Sequence, residues 1–190
     1  LAPALVRRLW PDVPIDVVND AGVGIAKSGD DGFVLGLLDE WGVDGLVPES
    51  CTDCIARGHL TGLVAWALDE DPDLRVGAFS STRDAVIAGI FLRVPGETFE
   101  TALRSELGGL HERFPERYQP FIVEGDLHTA LLGDIRGFLG DTDPELAEQI
   151  QSIVTLGEMD QVAVEGVTVG QWLGHMVTDD PAWAAHVEGP

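Results

Sequence analysis

Leu74-Arg75-Val76-Gly77-Ala78-Phe79-Ser80-Ser81 runs directly into Thr82-Arg83-Asp84. The apolar residues of 74–79 form a strand candidate that ends in two serines, and Ser81 followed by Asp84 is a variant of the capping box, with Asp where Glu or Gln is usual. The pair predicts a helix over Thr82–Leu92. Short apolar strands that pass into capped helices are the pattern of an α/β protein with a mainly parallel sheet.

The same pattern recurs on either side. Upstream, Ile15-Asp16-Val17-Val18 is a strand candidate ending in Asn19-Asp20, and Leu46-Val47 is a short one leading into Pro48-Glu49-Ser50-Cys51. Downstream, Phe121-Ile122-Val123 ends in Glu124-Gly125-Asp126. Helices are expected between them. Residues 4–10 are stopped by Pro11, 33–41 carry apolar residues at helical spacing with Gly42 as a stop, and Phe99, Leu103, Leu107, Leu110 and Phe114 mark one stripe. Asp126 and Asp143-Pro144 are further helix starts, to about 139 and 157. Val162–Val169 reads as a hairpin turning at Glu165-Gly166 or as a strand running into a helix whose apolar face holds Trp172, Leu173, Met176 and Val177. The tail after Asp180-Pro181 is expected to be irregular. The expected fold is therefore α/β, helix-rich, with a short mainly parallel sheet flanked by helices. A helix-dominated α+β arrangement is the rival, since helix outweighs strand. At 190 residues one core suffices, giving a single domain over 1–190 with a C-terminal hairpin and helix subregion from about 158.

Both cysteines lie in Ser50-Cys51-Thr52-Asp53-Cys54, with His59 beyond. Ser50 and Asp53 form another capping-box variant, which predicts a helix over 51–68 with Cys51 at its positive end, where a thiol pKa falls. On such a helix His59 points away from the two thiols, so one zinc ion cannot collect all three. The Cys-x-x-Cys resembles the start of the active helix in the AhpD-like family, Cys-x-x-Cys-x-x-x-His, but here the histidine falls one residue later. What remains for Cys51 and Cys54 is a pair of small buried residues or a catalytic dithiol.

Charge sets further bounds. The chain has 33 acidic and 11 basic residues, a formal net charge of −22, and Lys27 is its single lysine. Such a surface repels nucleic-acid phosphates and anionic membranes. It fits a solubilising shell, or a dock for a basic protein partner. No apolar run approaches the roughly 18 residues of a membrane span, and the expected location is the cytoplasm.

In a parallel sheet, ligands bind beyond the carboxyl ends of the strands. Those ends carry Asn19, Asp20, Ser50, Ser80 and Ser81 as candidate ligand-binding residues. Glu124, Asp126 and His128 are candidates to hold a divalent cation or to act as acid and base. The sequence does not identify a cofactor. The leading expectation is an acidic ligand- or partner-binding domain, regulatory or accessory, whose polar pocket at the strand ends takes a small molecule. The alternatives are an enzyme using Cys51 and Cys54 or a metal-assisted acidic site, and an inhibitor or immunity-type protein for a basic partner.

Overall fold

The computed structural model describes residues 2–43, 45, 47–55, 57–131 and 158–189. Its elements are α1 (Ala2–Leu9), β1 (Ile15–Asp20), α2 (Asp31–Glu40), α3 (Thr61–Glu70), β2 (Leu74–Ser81), α4 (Ala85–Leu92, a π-helix), α5 (Gly96–Arg113), β3 (Tyr118–Val123), β4 (Ala163–Val164), β5 (Val167–Thr168), α6 (Val169–Val177) and β6 (His186–Val187). Four strands form a sheet in the order β1-β2-β3-β6, and every pairing in it is parallel. The α/β expectation holds.

The sequence dictates this layering through its period of two. Val76, Ala78, Tyr118 and Ile122 face one side of the sheet, packed with Val34, Leu38, Leu68, Leu92, Phe99, Leu103 and Leu107 of the helices α2 to α5. Phe79, Phe121 and Val123 face the other side, against Val164, Trp172, Met176 and Trp183. Because both faces are covered, β2 and β3 are buried along nearly their whole length, as parallel strands between helices are. Gly77 makes the second layer possible: a Cβ there would lie 2.8 Å from the Trp172 indole, so the large side chain packs directly on the β2 backbone.

Local chemistry fixes the helix ends. The Asp30 side chain accepts from the Phe33 N–H at the start of α2. Thr168 and Gln171 form a reciprocal capping box at α6, entered from a hairpin whose turn residues Glu165 and Gly166 both have positive φ. The hairpin expected over 162–169 is present as β4 and β5.

Several expectations need correction. No helix begins at Ser50: residues 52–55 form turns, and α3 opens only at Thr61. Gly58 interrupts the path with φ +77, and it sits so close to the 27–30 loop that a Cβ would lie 2.1 Å from the Lys27 carbonyl oxygen. Val47 lies in a bend outside the sheet, and Leu46 lies outside the described residues. Ser81 does not cap the next helix; Asp84 does, accepting from the N–H groups of Val86 and Ile87. Residues 127–131 are irregular where a helix from Asp126 is expected, and the remainder of that helix, like the one at Asp143-Pro144, falls outside the described residues. The tail supplies a fourth strand. β6 is anchored by the Trp172 indole N–H donating to the Ala184 carbonyl and by the Glu188 N–H donating to Ile122. Among the described residues no helix is long and apolar enough to cross a membrane.

Candidate acid–base site at the carboxyl edge of the sheet

β2 and β3 stay zipped past their formal ends. The N–H groups of Thr82, Arg83 and Ala85 donate to the carbonyls of Val123, Gly125 and Asp126 at 2.9, 2.8 and 3.1 Å. The Gly125 N–H donates to the Thr82 hydroxyl, and the Ser81 hydroxyl donates to the Leu127 carbonyl. Two segments more than forty residues apart are thereby laid side by side, which places Asp84 of one against His128 of the other.

Asp84 is fully buried. Its Oδ1 accepts the Val86 and Ile87 N–H groups at 2.9 and 2.8 Å, and His128 Nδ1 lies 3.1 Å from Oδ1 and 3.0 Å from Oδ2. A carboxylate only accepts, so Nδ1 carries the proton and Nε2 is left as the basic nitrogen. The hydrogen bond to Asp84 raises the imidazole pKa above its usual value, against desolvation, with further help from the charges of Asp84 and Asp20. The imidazole is about one-fifth exposed. Asp84 holds it through Nδ1, and among the described residues Nε2 has no hydrogen-bond partner. α4, which Asp84 caps, is wound as a π-helix, a form that gathers at functional sites.

Asp20, at the end of β1, reaches across to the loop that carries His128. Its carboxylate accepts from the Thr129 hydroxyl and from the N–H groups of Ala130 and Leu131. Asp20 and the loop that carries His128 are thus brought together with Asp84, which the sequence reads only as a partner in a helix cap. The serines do not join them in the expected way. Ser80 and Ser81 are fully buried, with their hydroxyls spent on backbone carbonyls. Asn19 Oδ1 lies close against Gly22. Ser50 accepts from the Trp66 indole and is tied to the middle of α3.

The expected cation ligands do not converge. Glu124 lies beside Gly189 and Arg104, Asp126 is exposed, and His128 turns to Asp84. Among the described residues no three His, Cys, Asp or Glu side chains gather around one point. Cys51 and Cys54 are both buried and joined as a disulfide, with Cα atoms 5.4 Å apart.

A cleft of about 560 Å³ lies between the start of α3 and the exposed face of α5, lined by Ser28, Arg57, His59, Glu97 and Glu106 among others. Ser28 Oγ is 3.1 Å from His59 Nε2, a spacing suited to a nucleophile and its base. The tautomer forbids that role. His59 Nδ1 accepts the Ala26 N–H at 3.0 Å, so the neutral ring carries its proton on Nε2 and donates it to the serine. Burial lowers the His59 pKa and keeps the ring neutral. Glu106 is likewise committed, receiving the Thr61 hydroxyl at 2.5 Å and the Arg57 guanidinium at 2.9 Å. Of the two histidine pairs, only Asp84–His128 leaves a basic ring nitrogen without a hydrogen-bond partner among the described residues.

Asp84 reads in sequence as a helix cap, which it also is, and that reading hides its second partner. Compared with protein-family models, curated proteins and solved structures, the chain matches none.

Proposed function

We propose that the carboxyl edge of the sheet is a catalytic centre in which Asp84 orients His128 and His128 Nε2 acts as the general base of a hydrolytic reaction. One observation carries the reading: a fully buried carboxylate holds Nδ1 of a partly exposed imidazole, leaving Nε2 as the acceptor. That is the base and orienter portion of the nucleophile–base–orienter arrangement, which recurs on unrelated folds. His128 Nε2 takes the proton of an attacking hydroxyl, whether of water or of an alcohol, as that oxygen forms its bond to an electrophilic carbon. The same nitrogen returns the proton to the leaving group. Asp84 stabilises the imidazolium formed between the two steps. The formal charge of −22 favours a neutral or cationic substrate over an anionic one. It also supports contact with a basic protein partner, a reading that rests on charge alone.

The test is hydrolysis of neutral p-nitrophenyl esters by the chain and by His128→Gln. General-base catalysis contributes roughly a hundredfold to ten-thousandfold, so the variant should fall by at least the lower figure. Equal rates for the two chains would contradict the reading.

A further inference from the structure

We infer that Asp20 is a positioning residue for His128, acting through the loop 129–131, which it clamps to the end of β1. This rests on the reading of Asp84–His128 as the base and its orienter. Asp20 belongs to the edge strand β1, with all of β2 between it and β3. Its carboxylate takes three donors from one short turn: the Thr129 hydroxyl, the Ala130 N–H at 3.2 Å and the Leu131 N–H at 2.9 Å. Thr129 and Ala130 are buried, so these are not incidental surface contacts.

The chain also holds an unfavourable backbone conformation next to the clamp. Ala21 has φ +64, a region that residues with a Cβ seldom enter, and it is buried with its N–H donating to the Phe79 carbonyl at 3.0 Å. That bond carries the ladder between β1 and β2 one residue past Asp20 and fixes where the carboxylate leaves the sheet. The segment between β2 and α4 supplies Asp84 to the ring itself, and β1 supplies Asp20 to the backbone just beyond it. Among the described residues, the charged groups that act on the ring are these two. On the ring's own loop, Glu124 is turned toward Gly189 and Asp126 faces solvent.

The test is an NMR titration of the His128 ring, with amide exchange at Ala130 and Leu131, in the parent chain, Asp20→Asn and Asp84→Asn. Asp20→Asn keeps the shape of the side chain and removes its charge. The expected result is exchange at Ala130 and Leu131 faster by roughly tenfold or more, since hydrogen bonds to charged groups are the strong ones, and a His128 midpoint lowered by less than in Asp84→Asn. Unchanged exchange together with an unchanged midpoint would overturn the inference. If Asp20→Asn does not fold, Thr129→Val removes one donor at constant volume; faster exchange at Leu131 then supports the clamp, and unchanged exchange overturns it. Asp84→Asn separates the two ideas: a His128 midpoint unmoved in that variant sinks the base-and-orienter reading, whatever Asp20→Asn does.

Discussion

His128 Nδ1 stands 3.0 Å from Oδ2 of Asp84, a carboxylate with no solvent exposure that also holds the first turn of α4 through the N–H groups of Val86 and Ile87. One side chain therefore does two jobs. Removing its charge leaves the ring without a fixed tautomer, while an amide in its place can still cap the helix. We expect Asp84→Asn to retain cooperative unfolding and to lose esterase turnover by roughly a hundredfold to ten-thousandfold, the range of general-base catalysis. Paired circular-dichroism melts and steady-state rates check this. A variant that melts like the parent and keeps its rate would count against Asp84 as orienter.

The raised His128 pKa fixes a sign. The folded value lies above the unfolded value of about 6.5, so the ion pair with Asp84 contributes its full stability below that pH and loses it as pH rises through the folded value. Catalysis runs the other way, since a base must be unprotonated. Turnover should rise with pH through a midpoint above about 6.5 as the imidazole-linked stability falls. Urea unfolding of the parent and His128→Gln along a pH series would show their difference shrinking toward alkaline pH; a difference that grows there would be inconsistent.

His59 should behave oppositely. Burial holds its folded pKa below about 6.5, so its contribution is intact above that value and is lost as pH falls toward the folded one. The parent should therefore weaken between neutral and mildly acidic pH more steeply than His59→Gln. Parallel slopes for the two chains would mean that His59 titrates as it does in the unfolded chain.

Trp172 is fully buried, packs on Phe121 with ring centroids 5.2 Å apart, and rests on Gly77. Trp172→Ala should cost about 3–5 kcal/mol, as large-to-small aromatic changes in cores do. Gly77→Ala pushes a methyl into the indole and should cost about 1–3 kcal/mol. Combined, the two should cost less than their sum, because the cavity left by the indole accepts the methyl. Chemical denaturation of the three variants measures this, and strict additivity would argue against the contact.

The sheet was legible in the sequence because its strands are buried by side chains that alternate between two apolar faces. Val76, Ala78, Phe79, Phe121 and Ile122 announce themselves through composition alone. β6 was not legible: His186-Val187 is too short to carry a period, and it is placed by the Trp172 indole, 12 residues before Ala184, and by the Ile122 carbonyl, much further back in the chain. The helix expected from Ser50 failed because Gly58 is fixed by a close approach to Lys27, a tertiary contact that a local capping pattern cannot report. The site was half legible. Asp20 and His128 stand at strand ends where ligands are expected, but Ser80 and Ser81, equally polar in sequence, turn out to be buried braces. Asp84 was seen only as a partner in a cap, since its bond to His128 spans 44 residues and leaves no pattern in spacing.

Asp84 holds His128 through Nδ1, which places the ring proton on that nitrogen and leaves Nε2 as the basic one. A ¹⁵N–¹H long-range NMR titration of the histidine rings reads both the tautomer and the midpoint directly. The expected result is a neutral His128 with a protonated Nδ1 and a midpoint above the usual 6.5 or so. A neutral ring protonated on Nε2, or a midpoint at or below that value, would contradict it.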